Sequence, residues 1–468
     1  MASSLPRRQF LKAASLAGTA GALARPAGAQ EPQDGEEEAP METIREEPRQ
    51  VPVAHECDVC VVGGSCTGVF AAVAAARLGA RVALIELNGF FGGVATASMV
   101  NVWHSLYDTT FEKQIIAGLT QEVIDRLARR DAIIRRGTRS KGVEFNSEVM
   151  KLELDLLVGE AGIRPFLHTM FAAPAVEDGR VVAAIIEDKT GRRAIRARAF
   201  VDATGDADLV TRMGLPVYTR DDVQPPTTCA ILRGLGAIRR EHEGFRIQRA
   251  IFDPEFPQAL PKGFAWTAAV PGGHDETMLA GTRVFGADCS DADQLTRAEL
   301  EGRRQVRAVC ELLREHFLGG EGVPLQTLPA RIGVRESRHA RCLHELTTDE
   351  VLGGTRFPDA IANGSYRIDV HSARGAGVRF RDLKDTTFYQ VPYRSLVPRG
   401  ARNVLVAGRC LDADEGAFGA VRVMVNCNQM GQAAGAAAAL ALQDGADVAD
   451  VEPARLRKTL EDQGAIVL

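Results

Sequence analysis

Residues 57 to 68 set the strongest limit on what this chain can become. Cys57-Asp58-Val59-Cys60-Val61-Val62-Gly63 is a largely apolar run of strand length, the kind buried on both faces of a parallel sheet. Gly63-Gly64-Ser65-Cys66-Thr67-Gly68 follows at once and opens a helix of small residues, predicted over Val69 to Leu78 and ended by Gly79. A second apolar strand, Arg81 to Ile85, ends in Glu86, 23 residues beyond Gly63. Strand, glycine turn, helix, strand and acid in this order form the start of a dinucleotide-binding βαβ unit. The helix amides receive a pyrophosphate and the acid accepts from ribose hydroxyls. An ordinary glycine turn would not need Glu86. The usual third-place glycine is Ser65 here, which narrows the approach of the backbone to a pyrophosphate, although Gly64 and the helix amides can still bind an anion.

The rest of the composition suits a large globular protein. Its 468 residues suffice for at least two packed domains, and 45% hydrophobic with 25% charged residues excludes a mainly disordered chain. With 56 Lys+Arg against 61 Asp+Glu, nucleic-acid binding is not expected. Nine cysteines spread from Cys57 to Cys427 do not resemble a disulfide framework, and no Cys/His spacing suggests a metal site. Cys57 and Cys60 are three apart in a predicted strand, so their side chains should point to opposite faces and not form a redox pair.

Charge is segregated at the N-terminus. Residues 1 to 29 carry Arg7, Arg8, Lys12 and Arg25 with no acid, followed by an Ala/Gly/Leu stretch that ends in Ala27-Gly28-Ala29. This resembles a twin-arginine export signal, cleaved after Ala29, and implies the twin-arginine machinery as a partner and a periplasmic or secreted product. Residues 30 to 54 are predicted to be an acidic, disordered linker. No stable membrane span is expected, since the Ala-rich run Ala433 to Leu442 is too short and is read as a buried helix.

Further segments narrow the fold. Gly92-Gly93-Val94-Ala95-Thr96 follows the acid, Phe200-Val201-Asp202-Ala203-Thr204-Gly205-Asp206-Ala207-Asp208 lies mid-chain, and Asn403-Val404-Leu405-Val406-Ala407-Gly408-Arg409 comes late. With the Ile332 to Arg338 and Phe357 to His371 runs, residues 55 to 445 resemble the bacterial FAD-dependent oxidoreductases of glutathione-reductase-like fold. The resemblance implies an α/β architecture. A Rossmann-like FAD-binding domain is built from both ends of the chain, residues 55–214 and 396–468, around an inserted α+β substrate domain, residues 215–395. It also implies non-covalent FAD held by Gly63, Gly64, Ser65, Cys66, Thr67, Gly68, Glu86, Gly92, Gly93, Thr96, Thr204, Gly205 and Gly408. Phe171, by family position, would sit against the adenine in a small β-layer formed by strands Phe166 to Ala172 and Val181 to Glu187. Arg409 stands where many relatives have an Asp for the ribityl chain, which shifts that contact to Asp412 or Asp414. Gly419, Val421 and Arg422 would begin the last long helix, with amides toward the flavin pyrimidine. His104 lacks the surroundings of a covalent flavin linkage. The inserted domain should hold a helix over Thr296 to Phe317, opened by a Thr296/Glu299 capping box, and loops around Gly353 to Gly364 that cover the flavin.

A flavin performs the electron transfer, so the protein need supply only position, a base and charge. Asp369 and His371 share a strand face, which makes His371 the leading base, with Tyr366 second. A surface His-Asp pair would give the same pattern. Arg335 and Arg338 flank Glu336 and suit an anionic substrate or the reduced flavin, although an internal ion-pair network has this pattern too. The expected activity is hydride transfer between a small polar organic substrate, a sugar derivative or hydroxy acid, and flavin N5, with the electron acceptor unknown. Rival readings are a fumarate-reductase-like C=C desaturase or reductase, a non-catalytic electron-relay flavoprotein, and an NAD-dependent dehydrogenase. The mid-chain and late segments argue against the last.

Overall fold

The computed structural model describes residues 42–137, 140–261, 263–375 and 377–468. The predicted export signal therefore lies outside the described residues. The chain divides into two units after Gln50. Of the first, only residues 42–50 are described, without helix or strand; the second, Val51–Leu468, carries every helix and strand among the described residues.

Five parallel strands form the central sheet in the order Val404–Val406, Ala199–Asp202, Val59–Val62, Val82–Ile85 and Arg164–Phe166. Alternation along the strands divides its two faces. Val59, Val61, Leu84, Val201 and Leu405 pack with the helices Cys66–Arg77 and Met424–Asp444. Cys60, Val62, Ile85 and Phe200 face a second sheet, in the order Val53–Glu56, Gly191–Arg196, Arg180–Asp188 and Met170–Glu177. The result is a three-layer α/β fold, and its parallel sheet is buried on both sides as its continuous apolar strands require. The neighbouring strands Val59–Val62 and Ala199–Asp202 come from residues about 140 apart in sequence, and the outer strand Val404–Val406 from the chain's last quarter.

The middle of the chain adds an antiparallel sheet in the order Trp266–Ala269, Glu276–Ala280, Ala230–Arg233 and Leu325–Thr327. Val306, Val309, Leu312 and Leu313 of the long helix Ala292–Phe317 pack with Leu232 and Ile238 in one apolar cluster. Two further antiparallel pairings join Ala360–Gly364 with Tyr389–Pro392 and Ile368–His371 with Val378–Arg381. Among the described residues no helix is long and apolar enough to cross a membrane.

Several local expectations change. The helix expected from Thr296 starts at Ala292, because Asp291 caps it by accepting from Gln294 N at 2.8 Å. Glu299 instead accepts from Ile332 N at 2.7 Å. The strand expected over Phe166 to Ala172 is two strands, divided at His168 with φ +50°, and only the second joins the small sheet. Gly353 to Gly364 is not a covering loop: it runs from the end of a helix into a fully buried strand. The linker gives way to strand at Val53. Cys57 and Cys60 face one cluster, since Cys57 lies ahead of the regular strand; both are unpaired thiols, and burial pushes Cys57 up to about 12.

Candidate functional site

Two turns from different parts of the fold are locked together at the start of the first helix. Gly63 has φ +102°, and a Cβ there would stand 2.5 Å from Ala203 O, so the turn closes directly on the Asp202-Ala203-Thr204 segment. Ser65 caps the helix, its Oγ accepting from Gly68 N at 3.4 Å, which gives the departure from glycine a local reason. Space for its side chain comes from Gly93, where a Cβ would lie 2.6 Å from Ser65 Cβ. Gly92 N donates to Gly64 O at 2.9 Å, and Cys66 Sγ lies 3.6 Å from Gly92 O. The first two helix amides, of Cys66 and Thr67, have no partner within the helix, which suits an anion.

Glu86 is buried at the strand end. One oxygen accepts from Gly64 N at 2.7 Å, the other from Asn88 N at 2.7 Å and Asn88 Nδ2 at 2.6 Å. Burial pushes its carboxyl up, and these amides hold it back. The carboxylate thus braces the turn and keeps lone pairs for ribose hydroxyls. Arg409 lies over Gly205, whose φ is +80°. Its Nη2 donates to Asp206 Oδ1 at 3.2 Å while Nη1 is buried with no partner, a free cationic donor beside the glycine turns. Gly408, φ +92°, brings the late strand end close to Thr67. These unfilled donors and close approaches fit a dinucleotide phosphate.

Other expected contacts take different roles. Thr96 Oγ1 donates to Phe91 O at 2.7 Å and Thr204 Oγ1 to Asp202 Oδ1 at 2.7 Å, so both hydroxyls brace turns. Asp412 is fully buried and accepts from Cys342 N at 2.8 Å and Tyr218 Oη at 3.2 Å, which corrects the ribityl assignment. Asp414 caps a short helix through Ala417 N at 2.8 Å. That helix, Glu415–Val421, separates Gly419 and Val421 from the long helix, which begins only at Met424. A Cβ at Gly419 would stand 3.1 Å from Asp369 O, so this glycine permits helix–strand packing, and Val421 is core. Phe171 is buried between the two sheets with the Arg212 guanidinium 5.4 Å from its ring centroid, which leaves the adenine assignment without an open ring face.

Of the residues proposed for chemistry, Tyr366 and His371 meet at Asp369. Tyr366 Oη donates to Asp369 Oδ2 at 2.7 Å, His371 Nε2 lies 3.3 Å from Oδ1, and Arg422 Nη2 lies 3.5 Å from Oδ2 and donates to Asp369 O at 3.0 Å. The His104 ring packs on Tyr366 at 4.2 Å between centroids. Asp369 and His371 are buried, which removes the surface-pair reading. Burial alone would raise Asp369, yet His371 and the Arg422 charge hold its carboxyl well below the usual range.

His371 is not placed to act as a base. Arg283 Nη2 lies 2.9 Å from Nδ1, and since an arginine only donates, the ring lone pair is engaged there and the proton sits on Nε2. Burial and the Arg335 charge push this histidine down to about 3. Arg283, which the sequence reading did not single out, is buried, as is Gln224, whose Oε1 accepts from His371 N at 3.0 Å. Arg335 donates to Pro225 O at 2.6 Å and Thr227 Oγ1 at 2.5 Å; burial, then Arg422 and Arg283, push it down to about 9. Arg338 goes elsewhere, pairing with Asp208 at 2.6 Å, as an internal ion pair would.

A family model described as FAD dependent oxidoreductase matches residues 58–460. No curated protein matches the chain. Among solved structures, a geranylgeranyl bacteriochlorophyll reductase-like protein from Thermoplasma acidophilum shares 12% identity over 87% of this chain and 83% of its own, with a TM-score of 0.46. The OxyS anhydrotetracycline hydroxylase from Streptomyces rimosus shares 15% over 87% and 69%, with a TM-score of 0.43. The p-nitrophenol 4-monooxygenase PnpA from Pseudomonas putida DLL-E4 shares 12% over 87% and 86%, also at 0.43. Because the family match runs from the first strand of the central sheet to the last helix, this chain belongs to the FAD-dependent oxidoreductases and uses FAD.

Proposed function

We propose that the protein is an exported enzyme that moves a hydride between a small polar organic acid and N5 of non-covalent FAD held in a glutathione-reductase-type domain, with the substrate side built largely by residues 215–395. The observation that carries this reading is the group of buried Arg283 and partly buried Arg335 and Arg422 around the Asp369–Tyr366–His371 cluster. Cations in such a place favour an acid over a neutral sugar. The Gly63–Gly68 turn and the first amides of the helix Cys66–Arg77 would hold the pyrophosphate, Glu86 the adenosine ribose, and Arg409 Nη1 an oxygen of the same cofactor. When bound, FAD supplies a two-electron acceptor at N5, so a secondary alcohol that gives up its hydride and its hydroxyl proton becomes a ketone.

The chain's own residues would then place the acid and take the proton. The arginines orient the carboxylate, and Asp369 Oδ1, with the His371 Nε2–H 3.3 Å away, keeps lone-pair capacity for the substrate hydroxyl. An anion among the arginines weakens the field that holds Asp369 down, so substrate binding itself raises its affinity for a proton. His371 and Tyr366 fix the carboxylate in position. Anaerobic mixing of the purified, FAD-loaded protein with separate pools of hydroxy acids, sugars and amines tests this. Bleaching of the flavin bands by the hydroxy acids is expected, and bleaching by sugars or amines alone would overturn the acid assignment.

A further inference from the structure

The charges around Asp369 do not balance. Among the described residues Arg283 meets only neutral acceptors, His371 Nδ1 at 2.9 Å and Gly377 O at 3.3 Å. Arg335 likewise meets only Pro225 O and Thr227 Oγ1. Arg422 alone approaches a carboxylate, that of Asp369. The other nearby acids have their own cations: Glu336 binds Arg220, Glu144 binds Arg136 at 2.8 Å, and Asp382 lies 3.8 Å from Arg367. Among the described residues these three guanidinium groups, one buried and two partly buried, thus have a single carboxylate partner, an excess of two positive charges.

The unused hydrogen-bonding capacity has the same sign. Among the described residues, Arg283 Nε, Arg422 Nε and Gln224 Nε2 are buried donor atoms without an acceptor. Gln224 is 1% exposed and Arg283 5%. Uncompensated cations whose donor atoms are buried call for an anionic ligand. FAD does not supply the two missing charges, because its pyrophosphate belongs at the glycine turn of the first helix and its oxidised ring is neutral.

We propose that Arg283, Arg335, Arg422 and Gln224 recognise a small ligand with two carboxylates, and that Asp369 Oδ1 receives a hydroxyl between them, which makes the substrate a hydroxy dicarboxylate. This assignment rests on the hydride-transfer reading and deepens it. It predicts that a dicarboxylate lacking the hydroxyl binds the oxidised holoenzyme without being consumed.

Succinate and butyrate, titrated into FAD-loaded protein and followed by calorimetry and by perturbation of the flavin spectrum, separate two charges from one on the same carbon chain. Succinate should bind at least about tenfold more tightly than butyrate, a preference that weakens with added salt. Arg283→Gln should reduce the preference about tenfold, and Arg283→Lys should retain part of it. Equal binding of the two probes, absence of succinate binding, or an unchanged preference in a flavin-loaded Arg283→Gln protein would overturn the proposal. The wild-type ratio decides even if that variant fails to fold. Neither probe has a hydroxyl to oxidise, so the two readings fail separately. Succinate preference without bleaching by any hydroxy acid keeps the site and removes hydride transfer. Bleaching by hydroxy monoacids without the preference does the reverse.

Discussion

Asp369 meets three side chains directly and a fourth through His371, and each constrains its proton differently. Tyr366 donates to one oxygen, Arg422 lies beside the same oxygen, His371 stands beside the other, and Arg283 engages the far nitrogen of that histidine. If Asp369 accepts the substrate proton, Asp369→Asn should slow anaerobic flavin reduction by about 10²- to 10⁴-fold. His371→Gln keeps an acceptor for Arg283 and a donor for Asp369, and should cost about tenfold or less on the same scale. The pH profile provides an independent check. With His371 down at about 3 and His104 at about 4, both rings are neutral throughout the working range, so stopped-flow reduction should show no histidine inflection near the ordinary value of about 6.5. An inflection there that disappears in His371→Gln would restore the histidine as base. The Asp369–His371 pair was visible in the sequence because strand periodicity places alternate residues on one face. Arg283 was not, since it reaches His371 from 88 residues away and stands in Gly281-Thr282-Arg283 without any local pattern. Arg338 shows the opposite failure: three residues from Arg335, it faces Asp208, and spacing alone could not tell the two arginines apart.

At the scale of elements, the position of the nucleotide turn depends on how closely two helices pack. A Cβ at Gly431 would stand 2.1 Å from Thr67 O, and one at Gly435 1.9 Å from Ala71 O, so the long C-terminal helix lies directly on the backbone of the first. Gly431→Ala should therefore lower stability by about 1–3 kcal/mol or more. It should also reduce FAD content, because it displaces the helix whose first amides are proposed to hold the pyrophosphate. Gly159→Ala, in a helix with open space around the added methyl, should be neutral or stabilising by up to about 1 kcal/mol. Thermal melts and the absorbance ratio of flavin to protein measure both. Gly431→Ala with a wild-type melt and full flavin would show that the contact does not control the turn. The first helix was legible because its glycines and small residues leave few alternatives. The break between Val421 and Met424 was not, as no proline or glycine marks it. There Val423 is extended, with φ −67° and ψ 147°, and Arg422 reaches across to Asp369. Tertiary contacts fix that break.

For the whole molecule, the order of the central sheet determines when the cofactor site can exist. Val404–Val406 pairs with Ala199–Asp202, which pairs with Val59–Val62, and the helix Met424–Asp444 covers the first helix from the opposite end of the chain. This meeting of the two ends was foreseeable from the separated glycine segments, each of which is incomplete without the other. The turn at Gly63 rests on Ala203, and Gly408 approaches Thr67, so the proposed FAD site is complete only when nearly the entire chain is made. A chain exported unfolded would leave its cofactor behind. The proposed twin-arginine signal at Arg7 and Arg8 would resolve that conflict, because such a signal is associated with proteins that fold before crossing. Replacing both arginines by lysine should therefore leave FAD-loaded, yellow protein in the cytoplasmic fraction, while the unaltered chain appears yellow in the periplasm or medium. Fractionation with flavin release by denaturation reads both compartments. Unchanged export of the double-lysine chain would remove the signal assignment, whereas protein arriving outside without FAD would show that loading follows transport.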